Sequence, residues 1–322
     1  MKNFKVFNFS DVLSIRIFGN EKIYSLIEEY FPNTLSNYAV NNKVYDLECI
    51  KNIPNLTNIK FDKTVMPFRM SPYNVHNDKG VIFSYSQKNQ FSNENLVVRN
   101  GQKISLYENN FDNYLNVIKL FSELIFRNLL ERGYFPIHAS AVAFEQDAML
   151  FFGPIASGKS TAFFFHTAIG NCLPLANDIA FIGKENGEWY TYGTSYDITI
   201  RAESLNLVGV TGNFEQNKIH FTPKKYCETF NLDWEYKRKI KSISYMKFDI
   251  NTPYTLHTLT KEEGLKYLIQ DGKDQHFNFG DCLQINNLDP TFEYNGLVND
   301  LYIGFIKGNI IDVIIKGKEY TK

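Results

Sequence analysis

The chain has 322 residues, 44% hydrophobic and 21% charged, with a formal net charge of −1. Length and apolar content suffice for a sizeable core and more than one folding unit. The near-neutral balance gives no electrostatic ground for binding nucleic acid or an acidic membrane surface.

No apolar run approaches the length of a membrane span. The first ten residues lack the apolar core and cleavage site of a signal peptide. Cys49, Cys172, Cys227 and Cys282 lie far apart without metal-ligand spacing. A reduced cytoplasm is the expected setting. The 28 Phe and 20 Tyr, with frequent Asn and Lys, read as the bias of an AT-rich genome and not as a binding platform.

In chain order, Asp11 to Phe18 reads as a strand, and Asn20 as the cap of a short helix with Ile23, Leu26 and Ile27 on one face. Short β pieces follow from Tyr38 to Lys60. Residues 64 to 80 read as irregular, punctuated by Pro67, Pro72 and Gly80. Gly80 to Tyr85 is a strand. Leu96 to Arg99 and Gln102 to Tyr107 flank Asn100-Gly101, a strong hairpin signal. Asn110 to Arg132 has the clearest helical period, ending before Gly133, and is expected to join the first part to the second.

A hairpin is then expected, with Ile137 to Phe144 as one arm and Met149 to Phe152 as the other. It leads into Gly153-Pro154-Ile155-Ala156-Ser157-Gly158-Lys159-Ser160-Thr161. This is the phosphate-binding pattern G-x-x-x-x-G-K-[ST] between a strand and a helix. The four fixed positions match by chance about once in a hundred chains of this length, and the apolar strand before and apolar helix after them fit the required context. Gly153 lets the chain leave the strand without a Cβ clash, and Gly158 lets backbone approach phosphate oxygens. Successive amides, including those of Ala156, Ser157 and Thr161, would form an anion nest at the positive end of the helix. Lys159 would reach the β- and γ-phosphates of ATP. Ser160 would help to hold Mg2+.

Beyond the loop helix, Leu173 to Ile182 reads as a second core strand carrying Asn177-Asp178. Asp178 has the position of a second metal-side carboxylate. His138, on the strand before the loop strand, is a candidate to orient Asp178 or stabilise charge. Arg201, at the end of Ile198-Thr199-Ile200, is a candidate for phosphate or an acidic substrate group. Further on, Ile243 to Ile250 reads as a strand, Thr260 to Glu263 as a capping box opening a helix through Leu268, and Gly304 to Ile315 as a closing strand pair.

The stretch from Gly133 to Ile182 resembles the core of the HPr kinase/phosphorylase family, which shares its nucleotide-binding core with ATP-dependent phosphoenolpyruvate carboxykinase. The resemblance rests on Ile137-His138-Ala139, the hairpin, the loop Gly153 to Ser160 and the pair Asn177-Asp178. It is nearest to divergent relatives linked to peptide modification. It implies an α/β fold with an HPr-kinase-like P-loop domain over 109–322; the short strands before it read on their own as a β-rich N-terminal domain over 1–108, unlike the family's usual one. The resemblance also implies catalytic roles for His138, Lys159, Asn177, Asp178 and Arg201. The family has Asp-Asp where this chain has Asn177-Asp178, so Asn177 cannot serve as the base, and Thr199 stands where the family has Glu.

The expected function is an ATP- and Mg2+-dependent kinase. It would phosphorylate a hydroxyl, Ser by preference, of a small protein or precursor peptide that the first domain recognises, and homo-oligomers are expected. The alternatives are a nucleotide-responsive binding or scaffold protein without rapid turnover, and nucleotidyl transfer to a peptide.

Overall fold

The computed structural model describes residues 4–67, 70–88, 93–109, 115–194, 196–210, 217–249, 251–273, 279–286, 288 and 290–309. The protein is a mixed α/β molecule with large sheets. It divides into two compact units: Met1–Glu28, Asn33–Arg132 and His276–Pro290 in the first, Glu29–Pro32, Gly133–Gln275 and Thr291–Lys322 in the second. Among the described residues, no helix is long and apolar enough to cross a membrane.

The strands of the first unit are β1 Lys5–Phe9, β2 Leu13–Phe18, β3 Leu35–Ser36, β4 Val44–Lys51, β5 Lys63–Val65, β6 Tyr73–Asp78, β7 Val81–Ser86, β8 Asn95–Asn100 and β9 Lys103–Glu108. They form one nine-stranded sheet in the order β3-β1-β2-β4-β9-β8-β7-β6-β5. Helix α1 (Glu21–Tyr30) starts where expected, because Asn20 Oδ1 accepts from the amides of Lys22 and Ile23. The Asn100-Gly101 turn closes β8 on β9 with Asn100 opposite Lys103, as its dipeptide dictates. Residues 64 to 80 depart from the expected irregular stretch: β5 and β6 pair there, with Val65 opposite Tyr73. The prolines lie in the connection between the two strands, where no ladder hydrogen bond is lost.

Helix α2 (Leu115–Glu131) is buried almost all round, including Glu123, Arg127 and Asn128. The start of the expected helix, residues 110–114, lies outside the described residues. The helix belongs to the first unit, whose second segment runs from Asn33 to Arg132. Its inner face meets the sheet, with Phe121 packed on Phe7 at 4.8 Å. Its outer face is covered by a late segment of the chain. Arg127 fastens that cover, donating to Glu123 Oε1 (2.9 Å), Phe279 O (2.6 Å) and Leu288 O (3.2 Å). Arg99 does the same, reaching Leu283 O (2.9 Å) and Gln284 O (2.8 Å). A helix buried almost all round needs such a cover.

The second unit comprises β10 Phe135–Ile137, β11 Ala139–Phe144, β12 Asp147–Phe152, β13 Leu173–Ala176, β14 Ala180–Glu185, β15 Glu188–Gly193, β16 Ile198–Arg201, β17 Lys218–Phe221, β18 Lys237–Phe248, β19 Thr255–Thr258 and β20 Ile303–Gly308. Its helices are α3 Lys159–Ala168, α4 Ala202–Leu207, α5 Pro223–Phe230, α6 Lys261–Tyr267 and α7 Tyr294–Asp300. The main sheet runs β10-β14-β15-β18-β12-β11-β13, with β20 on β18 and β19 on β20. β12 lies at its centre, antiparallel to β11 and parallel to β18. Its alternate residues enter two cores: Ala148, Leu150 and Phe152 on one face, Met149 and Phe151 on the other. A strand covered on both faces reads as a continuous apolar run, as this one does.

β18 begins at Lys237 rather than Ile243, because Lys237 to Lys239 pair with Tyr192 to Tyr190. The α6 capping box forms in both directions, Glu263 N–H on Thr260 Oγ1 (3.2 Å) and Thr260 N–H on Glu263 Oε2 (3.0 Å). Of the expected closing strand pair, β20 is present, but its partners are β18 and β19. Residues 310–315 lie outside the described residues.

Two stability predictions follow from the first unit. Arg127→Ala would remove the cation paired with the fully buried Glu123, at a cost of about 3–5 kcal/mol. Chemical denaturation checks this, and a loss below about 1 kcal/mol contradicts it. Glu108, the last residue of β9, is fully buried. Burial pushes its carboxyl up from 4.5 to about 7, against the opposing pull of Asn116 and Lys119. Between those values the folded chain holds a proton that the unfolded chain has released, so this group's contribution falls as pH rises through the window. Denaturation at pH 5 and pH 8 should show that loss, and Glu108→Gln should abolish it.

Candidate functional site

The site is built where β12 ends. Gly153 turns the chain out of the sheet with φ +148; a Cβ there would stand 2.9 Å from both Met246 O and Ser157 Oγ. Pro154, Ile155 and Ala156 are exposed, Ala156 with φ 65. Ser157 turns back inward, its amide on Pro154 O (3.1 Å) and its carbonyl taking the amide of Phe248 (2.8 Å). The loop is thereby tied to the end of β18. Gly158 caps α3 with φ +96, and a Cβ would lie 2.3 Å from that of Phe248. Glycine is required there by the packing of Phe248 as well as by φ.

Helix α3 makes its first backward bond from Ala162 N–H to Gly158 O (2.8 Å). The amides ahead of it have no partner one turn earlier within the helix. A cavity of about 650 Å3 lies there, lined by Ala156, Ser157, Gly158, Lys159, Ser160 and Thr161 among others. Lys159 is buried, and its ammonium donates to Gly153 O (2.7 Å) and Pro154 O (3.0 Å). The Ser157 hydroxyl is buried without a hydrogen-bond partner. Ser160 is exposed at the mouth.

His138 and Asp178 reach the same wall through two breaks in the sheet. His138 is the single residue between β10 and β11, and its amide is fixed on Gly272 O (2.8 Å). The expected strand over 173 to 182 is two strands, β13 and β14, that pair with β11 and β10 respectively. Asn177-Asp178 is the bend between them. His138 Nε2 and Asp178 Oδ1 meet at 3.3 Å. Asn177 points the other way: it is buried, donates to Asp197 O (3.4 Å) and is absent from the cavity wall. Its carbonyl accepts from Ser140 Oγ (2.5 Å), which holds the bend.

Arg201 also lines the cavity, from the two-stranded ribbon β16–β17. That ribbon also brings Thr199 and Lys218, and the short helix α4 brings Glu203. The sequence reading did not single out Lys218 or its neighbour His220. The alternation Lys218-Ile219-His220-Phe221 is the signal that could have shown them as one face of a strand. Among the described residues, no group of three or more His, Cys, Asp or Glu side chains could hold a metal ion. A Mg2+ carried on a triphosphate needs only one or two protein oxygens, and the Ser160 hydroxyl and Asp178 carboxylate on one cavity wall fit that demand.

No family model and no curated protein matches the sequence. Among solved structures, the fold is similar to that of the Hpr(Ser) kinase/phosphatase from Coxiella burnetii, over 58% of this chain and 93% of that chain. Identity is 11% and the TM-score 0.30, a distant likeness from which no residue's role is carried across.

Proposed function

We propose that the second unit binds ATP with Mg2+ on the loop 153–161. We further propose that it transfers the γ-phosphoryl group to a hydroxyl, Ser by preference, of a small protein or precursor peptide. One observation carries the reading: a single cavity joins the α3 amides, the Lys159 ammonium, the Ser160 hydroxyl and an Asp178 carboxylate held by His138. Phosphoryl transfer depends on positioning and charge neutralisation more than on covalent chemistry, and these groups supply both. Lys159 would exchange the Gly153 and Pro154 oxygens for phosphate oxygens. Ser160 and Asp178 would hold Mg2+, which neutralises charge on the phosphates. His138 would fix the carboxylate, and Arg201 would face the transferred group. Asn177 would contribute through the bend that aims Asp178 outward.

The four cysteines are free thiols, which suits the proposed cytoplasmic setting. Partner recognition would fall to the first unit. Its sheet ends in β3 and β5, of two and three residues, edges too short to favour strand addition. A second reading, a nucleotide-responsive binding protein without rapid turnover, is favoured by one observation: Asn177 is neutral, buried and away from the cavity.

The full chain should be incubated with Mg2+, a Ser-bearing peptide and ATP labelled at either the γ- or the α-phosphate. Label from the γ-position on the peptide is the expected result. Label from the α-position would mean nucleotidyl transfer, and tight ATP binding without transfer would support the binding-protein reading. Lys159→Ala should weaken ATP at least about 10-fold in calorimetry, since hydrogen bonds to charged groups contribute about 1.5–3 kcal/mol. Unchanged affinity overturns the site.

A further inference from the structure

The β16–β17 ribbon carries a hydroxyl–imidazole pair that the proposed transfer to a peptide does not use. Thr199 and His220 are cross-strand partners, with Oγ1 and Nδ1 3.0 Å apart. Thr199 lines the cavity with Lys159, Ser160 and Asp178. The next pair on the same face, by the period of two along each strand, is Arg201 opposite Lys218. Both also line the cavity. Among the described residues, neither has a carboxylate within ion-pair distance. Ile198 and Ile200 are buried in the adjoining core cluster, which anchors the ribbon, and Ile200 also borders the cavity. Asp197 lies near enough for its carboxylate to interact with the His220 ring.

We propose that Thr199 is itself a phosphoacceptor, modified in cis by the nucleotide held on the loop; this rests on the ATP-binding reading above. Thr199 Oγ attacks the γ-phosphorus and its proton passes to His220 Nδ1. The bond from the γ-phosphorus to the oxygen bridging it to the β-phosphate breaks, and ADP leaves with those electrons. The product is phosphothreonine beside an imidazolium, which then returns its proton to water. Arg201 and Lys218, one pair along the ribbon, meet the new dianion with charge-assisted hydrogen bonds. The arrangement is that of a nucleophile activated by an adjacent base, with the charges that the product needs already in place.

The test uses the full chain, Mg2+ and γ-labelled ATP with no added acceptor, followed by phosphopeptide mapping. The expected result is one phosphoryl group at position 199, gained at a first-order rate independent of protein concentration. Thr199→Ser should keep the label at that position, Thr199→Val should lose it, and His220→Asn should slow labelling by about 100-fold. ATP binding without label at 199, label on another residue, or a rate that rises with protein concentration overturns this inference alone. Absence of ATP binding overturns the nucleotide reading and this inference with it.

Discussion

A buried ammonium held by two backbone carbonyls is the constraint on which the site depends. Lys159 sits under the loop, bonded to Gly153 O and Pro154 O at 2.7 and 3.0 Å. A cation taken from water into this position requires strong acceptors, and neutral carbonyl oxygens are weaker partners than phosphate oxygens. The buried cation and the loop carbonyls are thus tied together at the end of β12. The N-terminus of α3, its positive end, lies at this cavity, which Arg201 and Lys218 also line. Two carboxylates, Asp178 and Glu203, line the same cavity, and Asp178 Oδ1 is paired with His138 Nε2.

The sheet of the second unit holds that arrangement in register. β12 is paired on both sides, so Gly153 leaves a fixed strand end. The amide bond from Phe248 to Ser157 ties the loop to the parallel neighbour β18. His138 and Asp178 come from interruptions in adjoining strands, and only because both strands break do the two side chains face each other. A continuous strand over 173 to 182 would have placed Asp178 within a ladder.

What was legible in the sequence was local. The Asn100-Gly101 hairpin, the Asn20 cap, the Thr260 capping box and the glycine-bounded loop are all signals carried within a few residues, and each formed as its chemistry dictates. The long-range pairings were not legible. β2 with β4, β4 with β9, β12 with β18 and β18 with β20 are parallel, and a parallel pair leaves no turn signature. The late segment that covers α2 was hidden for a related reason. Arg127 and Arg99 bind its backbone carbonyls, which any sequence supplies. The site showed the same division. The loop, His138 and Asp178, which line the cavity, were singled out from local sequence, whereas Lys218 reaches it through the pairing of β17 with β16.

The most direct measurement of the central claim is the crystal structure of the full chain with Mg2+ and a non-hydrolysable ATP analogue. The account predicts the triphosphate in the cavity at the N-terminus of α3, with Lys159 Nζ moved off the Gly153 and Pro154 oxygens onto phosphate. An analogue bound elsewhere, with Lys159 still on those two carbonyls, would contradict it.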